Sequence, residues 1–541
     1  MRKSISASDK LNAEKKRDIA FSLLVVFAAF ALYANSLGNG FVWDDDIVII
    51  ANSTQRNSAL ALFRGIDAGR DTDLTPYYRP LTLLTFLIED RLHGLNPFLM
   101  HFLNVLFHAA NAFLVYRLAR FLLNDNYAAL LAGMLFAAHP INSEAVDFIS
   151  GGRNTLLACL FVLSAYLLHS RSADKQNLAG AVAGSVLFLA ALFSKETALG
   201  LLPFIIVLES SRRRSETSGS RLRSYGRLLP YVVFTIVYFI LRGTALSGAG
   251  VRLEILPGLG TRLLDNLYII PRYLLTVIWP PLLSPRYYVP DDLHLVALPL
   301  LAAWIGILCV LAWLFTRGRS RAAFFGLSWI AIFWLPVSGI VPFPSAEMAD
   351  RYFYVPAIGL WIIVADQVAR FLPSNALARK RAYGVVALFL LVLAGMTVLR
   401  NIEWRSDIAL FSGLVKQYPE QAFGHHNLGC AYLDKAGDLD SAEREFERAL
   451  ELDPFFPRLR TQLGYVRLLK GDYEGALHHY NEAVSQNPFD AEALLNRAMA
   501  LDNLGRYEEA AVDYRRFLAA PGNELPRARP QAEARLYELS R

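Results

Sequence analysis

Cysteine is scarce in this chain of 541 residues, which holds only Cys159, Cys309 and Cys430. Two lie in apolar runs and one in a repeat-like tail, so they support neither a disulfide framework nor a metal-ligand spacing, and they leave the redox compartment unread. Charge is thin as well, at 19% Asp, Glu, Lys and Arg. No glycine-rich phosphate loop is present, so neither ATP nor a nucleotide sugar is expected as a direct substrate. Basic excess is missing from the tail: from Asn401 onward 17 Lys and Arg face 23 Asp and Glu, a net of −6, whereas the preceding part carries +12. A tail of that sign gives no nucleic-acid footprint. A cleavable secretory signal is lacking too. Lys15, Lys16 and Arg17 precede an apolar run, but Ala31 to Gly38 offers no convincing cleavage site, so the segment reads as an uncleaved first span.

Apolar residues, by contrast, are abundant, at 54% with a mean hydropathy of +0.31. That exceeds what a soluble core of this length needs, and the surplus calls for an apolar solvent. Runs suited to the hydrocarbon layer recur at Ile19 to Leu37, Phe98 to Leu118, Tyr127 to Pro140, Thr155 to Leu168, Leu178 to Phe193, Leu199 to Glu209, Leu228 to Leu246, His294 to Phe315, Ala322 to Val341, Tyr352 to Leu372 and Tyr383 to Leu399. Lys and Arg near span ends tend to stay in the cytoplasm. The clusters Lys15 to Arg17, Arg117 with Arg120, Arg171, Arg212 to Arg214 with Arg221 to Arg227, Arg317 to Arg321, and Arg379 to Arg381 fall on every second loop. A further apolar stretch, Thr261 to Leu283, breaks the alternation if it crosses. It carries Arg262, Asp265 and Arg272, costly at mid-bilayer, and is expected to lie at the outer interface or re-enter. The result is about eleven crossings, a cytoplasmic N-terminus and an outer C-terminus. The first outer loop, 38–97, and the tail then share one extracytoplasmic compartment. The predicted layout is all-α: a polytopic membrane domain over 1–400, a linker and degenerate half-repeat over 401–420, and a repeat domain over 421–541.

The tail repeats itself. Leu463, Gly464, Gly471, Tyr473, Ala476, Tyr480, Ala483 and Pro488 recur in the next unit as Ala498, Leu501, Gly505, Tyr507, Ala510 and Tyr514. Leu428, Gly429, Tyr432, Gly437, Ala442, Phe446, Ala449 and Pro454 precede them with one extra residue near Ala436. This is the pattern of about three tetratricopeptide repeats, paired helices that stack into a concave α-solenoid suited to a peptide or partner protein. Trp404 to Pro419 fits a capping half-repeat. The alternative is that the stack is only a spacer.

Polar groups gather at the outer ends of spans. Phe41-Val42-Trp43 leads into Asp44, Asp45 and Asp46, whose mutual repulsion raises the pKa of at least one carboxyl unless a cation compensates. Such a cluster suits a general base or hard oxygen ligands for a divalent ion, here Asp44 and Asp45; it equally suits a turn or helix cap. Tyr78-Arg79, His139 with Glu144, Arg153, Lys195-Glu196 and Asp350-Arg351-Tyr352 end on the same side. Single Arg or Lys residues often only snorkel to headgroups. Their common side is the argument for a joint role: Arg79, Arg153, Lys195 and Arg351 beside carboxylates suit a phosphate-bearing substrate next to an acidic base.

Taken in order, Asn39-Gly40-Phe41-Val42-Trp43-Asp44-Asp45, Tyr78-Arg79-Pro80-Leu81-Thr82, His139-Pro140 with Glu144 and Gly152-Arg153, Lys195-Glu196, Arg351-Tyr352, and Trp404-Arg405 leading into repeats resemble the transmembrane and tetratricopeptide-repeat (TMTC-like) O-mannosyltransferase family. The resemblance covers most of the chain. It implies a GT-C type membrane bundle that moves mannose or a similar hexose from a polyprenyl-phosphate donor to a hydroxyl acceptor, such as Ser or Thr of an exported protein bound by the repeats. Asp44 and Asp45 match the family's acidic pair; Arg79, Arg153, Lys195 and Arg351 would hold the donor phosphate. Asp46, Tyr78, His139, Glu144, Glu196 and Tyr352 would support them. The chain departs from the pattern in having few repeats and Asp350 where Glu is usual. One base and one displacement imply inversion, with loss of transfer on Asp45→Asn. The Arg- and Ala-rich composition points to a bacterial inner membrane facing the periplasm rather than to the endoplasmic reticulum. Two other readings are a glycan or lipid acceptor on the same fold, and a non-enzymatic membrane scaffold.

Overall fold

The computed structural model describes residues 7–51, 58–64, 77–175, 177–212, 218–247, 258–290, 296–316, 320–340, 348–456, 458–520, 525 and 528–540. Arg213, Arg214 and Arg317 to Arg319 of the basic clusters, and 52–57 and 65–76 of the first loop, lie outside them. Among the described residues the regular structure is helical throughout. Two compact units divide between Arg405 and Ser406.

Each of the eleven apolar runs is a helix in the first unit. Among the described residues six helices are long and apolar enough to cross a membrane: Asn12–Gly38, Pro97–Leu123, Ile149–Ser172, Gly226–Leu246, Ala297–Leu314 and Ala376–Glu403. Asn126–Ala138, Leu178–Ser194 and Arg321–Val337 are shorter apolar helices. Local chemistry sets the boundaries. The Pro97–Leu123 helix starts with Pro97 at its first turn and the Asn96 side chain accepting from Leu99 N, and it stops at Asn124 with φ of 52°. Asp125 then caps the Asn126–Ala138 helix by accepting from Tyr127 N and Ala128 N, so the two helices form a tight hairpin.

Packing follows the membrane rule that small residues let backbones meet. Where the Arg321–Trp334 and Pro356–Phe371 helices cross, a Cβ on either Gly326 or Gly359 would lie 2.5 Å from the other's carbonyl oxygen. Only glycine fits both positions. The Leu259–Ile278 helix, within the stretch expected at the interface, contains Pro271 and is not among the six long apolar helices. Arg262 donates to the carbonyls of Gly339 (3.2 Å) and Ile340 (2.8 Å), and Asn266 to Ser338 O at 2.9 Å. These bonds tie the helix to residues 338–340.

The last helix of this unit, Ala376–Glu403, runs beyond the expected boundary at residue 400. Asn401 donates to Leu32 O and Asn35 Oδ1, both at 2.9 Å, and accepts from Ser143 Oγ at 3.0 Å. Buried Trp404 also belongs to this unit.

The second unit begins with the Asp407–Gln417 helix and continues as three helix pairs, followed by Arg529–Leu539. Repeat glycines sit where a neighbouring ring presses in: a Cβ on Gly464 would lie 2.6 Å from the Tyr480 ring. The extra residue near Ala436 is accommodated by a π-helical turn, Tyr432–Ala436, closed by Gly437 with φ of 65°.

Candidate functional site

The acidic loop is fixed by both ends of the first unit. Asn39 donates to Asn401 O (3.1 Å), and Gly40 N to Arg405 O (3.2 Å). Trp43 then adopts φ of 56°, a left-handed conformation unfavourable for a bulky residue. Its indole stacks on Phe148 at 5.5 Å and 12°, and Phe148 stacks in turn on Trp404 at 5.7 Å and 21°. Offset ring stacking of this kind offsets part of the strain.

The twist at Trp43 separates the three carboxylates. Asp45 turns inward and is fully buried. One oxygen accepts from Ser150 N at 2.7 Å, at the start of the Ile149–Lys175 helix, and the other from Val42 N at 3.2 Å. Burial pushes its pKa up to about 7 despite those two donors. Asp44 stays half-buried and faces the cations; burial raises its pKa and the charge of Arg351 pulls the other way. Asp46 begins the Asp46–Ala51 turn and is half-exposed.

Arg351 comes from the short Asp350–Phe353 helix. Its backbone N–H donates to Glu144 Oε2 at 2.8 Å, while its guanidinium pairs with the other Glu144 oxygen and lies 5.7 Å from the Phe148 ring and 5.0 Å from the Tyr352 ring. Arg79 grips Glu196 with two donors at 3.0 and 2.5 Å and lies 4.0 Å over the Tyr77 ring. Burial would raise the Glu196 pKa, but the Arg79 charge and hydrogen bonds outweigh it and hold it at about 2. Lys195 donates to Thr155 Oγ1 at 2.7 Å and lies 5.4 Å over Tyr352. Burial, with repulsion from Arg79 and Arg351, holds it well below the ordinary lysine value. Two of the three cations are thus matched by carboxylates. Lys195 rests on a neutral hydroxyl.

Arg153, expected with these cations, is placed differently. It is fully buried, donates to Asn104 Oδ1 and Met100 O, and pairs with Glu89. Thr85 takes a further contact at 3.3 Å. Its hydrogen-bonding capacity is occupied inside the protein, so it braces helices and is not poised for phosphate. Removing Glu89 from such a pair leaves a buried charge, and Glu89→Ala is expected to cost about 3–5 kcal/mol, read as a lowered unfolding midpoint in detergent. Tyr78 and His139 are also structural in their contacts. Tyr78 Oη donates to Phe63 O at 2.8 Å among aromatic rings, and His139 Nε2 meets Val277 O at 2.9 Å while Nδ1 accepts from Ile141 N.

The donor set does not fit a divalent ion shared by Asp44 and Asp45. Both Asp45 oxygens accept backbone N–H groups, and among the described residues no group of three His, Cys, Asp or Glu side chains could hold a metal. Sequence reasoning did not select Tyr77, Thr155 or Phe148. Tyr77 lies two positions before Arg79, and nothing local marks the other two.

Residues 81–239 match the family model described as dolichyl-phosphate-mannose-protein mannosyltransferase, and 426–489 and 461–524 match the tetratricopeptide repeat. The chain is 26% identical to human protein O-mannosyl-transferase TMTC3 over 531 residues, covering 91% of this chain and 54% of that protein. It is 27% identical to Drosophila melanogaster protein O-mannosyl-transferase Tmtc1 over 517 residues, 77% of this chain and 59% of that one. Drosophila melanogaster protein O-mannosyl-transferase Tmtc2 is 35% identical over 275 residues, 47% of this chain and 29% of that one. The chain therefore spans a little over half the length of the first two. Fold and matches together define a multi-pass helical membrane protein with a C-terminal tetratricopeptide-repeat solenoid. Within that class the chain is similar to the TMTC protein O-mannosyl-transferases, at 26% and 27% identity over 91% and 77% of its length.

Proposed function

We propose that the chain is an integral membrane glycosyltransferase. It transfers mannose or a similar hexose from a polyprenyl-phosphate donor to a hydroxyl, that of Ser or Thr in an exported protein, on the extracytoplasmic face. The observation that carries this reading is the placement of Asp44 beside Arg351, which clusters with half-buried Arg79 and buried Lys195, all contributed by segments far apart in sequence. The N-terminus is cytoplasmic and the repeats are extracytoplasmic, where they recruit the acceptor. The family match to residues 81–239 and the names of the relatives favour a lipid-linked mannose donor.

The chemistry follows from charge. When the anomeric C–O bond breaks, negative charge grows on the departing phosphate, and preorganised cations lower the barrier most where that charge develops. Arg79 and Arg351 are held in orientation by Glu196 and Glu144, while Lys195, held by Thr155, supplies a compact point charge. Asp44 takes the proton of the acceptor hydroxyl as the new C–O bond forms. Asp45 keeps the turn in register by holding two backbone N–H groups. Arg153 positions the helices behind the site.

A single displacement inverts the anomeric centre. Purified full-length chain, given polyprenyl-phosphate mannose and a Ser/Thr peptide, is expected to release polyprenyl phosphate and form a mannosyl peptide of inverted configuration by NMR. Retention would overturn the single-displacement step. Failure to consume the donor with any peptide, glycan or lipid acceptor would overturn the enzymatic reading.

A further inference from the structure

The two long helices that start beside the acidic loop, Pro97–Leu123 and Ile149–Lys175, end around a separate cavity. It measures about 150 Å³ and is lined by Arg117, Arg120, Phe121, Leu167, Ser170 and Arg171, far more room than the ~10–15 Å³ one water needs. Ser150, which holds Asp45, and Arg171 stand 21 positions apart on one helix. That is about 32 Å at the α-helical rise, roughly the thickness of a bilayer's hydrocarbon core. On the proposed topology, an arginine-lined cavity one membrane thickness from the candidate active site falls at the headgroup level of the opposite leaflet.

The charges there are set in an orderly way. Arg117 pairs with Asp18 at 2.7 Å, and Arg120 with Glu14 at 2.7 Å. Both carboxylates come from the Ala7–Leu32 helix and hold the two guanidinium groups in place. Arg171 is exposed at the cavity and has no ion-pair or hydrogen-bond partner among the described residues. Of the three lining guanidinium groups, Arg171 alone is left without a paired carboxylate among the described residues. Phe121 and Leu167 supply an apolar wall beside it.

We propose that this cavity binds the phosphate of an anionic lipid headgroup. A phosphodiester carries the single negative charge that is missing. The planar forks of arginine suit its oxygens, and the apolar wall suits the glycerol and first methylenes of a lipid rather than a hydrated inorganic ion. Basic pockets between membrane helices are the expected form of such recognition. The site is distinct from the lipid-linked sugar reading, since it lies at the other end of the same helices.

The test uses full-length chain in a neutral detergent, with Arg171→Gln and Arg171→Lys variants. Phosphatidylglycerol, phosphatidylcholine and inorganic phosphate are added separately, and binding is read by native mass spectrometry and by the unfolding midpoint. The expected result is one retained phosphatidylglycerol with a raised midpoint. Retention should be about tenfold weaker in Arg171→Gln and intermediate in Arg171→Lys, with little effect of the other two ligands on the native chain. Equal retention by native chain and Arg171→Gln would overturn the proposal. So would a matching response to phosphatidylcholine, which shows that net charge is not read, or to inorganic phosphate, which shows an anion site without lipid selectivity. Arg171 is exposed and carries no ion pair, so its neutralisation leaves the packing intact.

Discussion

Asp44→Asn is expected to lower sugar transfer by about 10²–10⁴-fold, the usual contribution of a positioned general base, while leaving the unfolding midpoint close to that of the native chain. Asp44 has the geometry for this outcome because it is half-buried and directed toward Arg351, and it is not tied to the loop backbone as Asp45 is. Asn at 44 keeps the shape and loses the proton acceptor. Asp45→Asn should also reduce transfer, but through the loop: an amide can accept from only one of Val42 N and Ser150 N, and its NH₂ would face the other donor. That variant should therefore lose stability along with activity, and the contrast separates the two roles. Full transfer in both single variants and in the double variant would remove Asp44 and Asp45 from the mechanism.

The same pair has a signature in pH. With Asp45 near 7, acidification through that value places a proton between the carboxylate and one of its two donors, so transfer should fall as pH drops below about 7. Stability should move the opposite way. A carboxyl whose folded-state pKa is raised binds its proton more tightly in the folded chain, so this group's contribution is present at low pH and is lost as pH rises toward 7. A rate profile flat across that window would contradict the assignment.

Lys195→Met is expected to reduce transfer by about 10²–10³-fold, the cost of losing one preorganised donor to a developing anion. Stability should be retained or increased. A lysine buried beside Arg79 and Arg351, with Thr155 as its one hydrogen-bond partner among the described residues, opposes folding in its charged form, and Met fills a similar volume without that charge. Arrival of a phosphate reverses the local field and favours the charged form. Donor binding should accordingly take up a proton, measurable by calorimetry in buffers of differing ionisation enthalpy. Native transfer by Lys195→Met would show that Arg79 and Arg351 suffice.

Much of this architecture can be read from the chain. The apolar runs become helices because hydrophobic length is local information, and the repeat glycines and aromatics announce their own packing partners, as Gly464 and Tyr480 do. The sequence marks Arg79, Lys195 and Arg351 as span-end cations, and the fold brings these three together. Their difference from Arg153 is not legible there, because Arg153 and Arg351 look alike until Glu89, 64 positions away, takes one and Glu144, 207 positions away, orients the other. Adjacent Asp44 and Asp45 likewise diverge only because Trp43 takes a left-handed turn secured by Phe148 and Trp404. Tyr78 and His139 sit within motifs at span ends, yet their contacts are with backbone carbonyls and rings. Local sequence shows that a polar residue is present, and only the folded neighbourhood decides what it faces.

The stitch from Asn39 to Asn401, across 362 positions, has a consequence for biogenesis. At roughly 5–20 residues per second of synthesis, the acidic turn leaves the ribosome about 20–70 s before its anchor exists. A nascent chain halted before its final hydrophobic helix would hold the carboxylates without the clasp that orients them. The proposed active site is therefore complete only once the Ala376–Glu403 helix has been made.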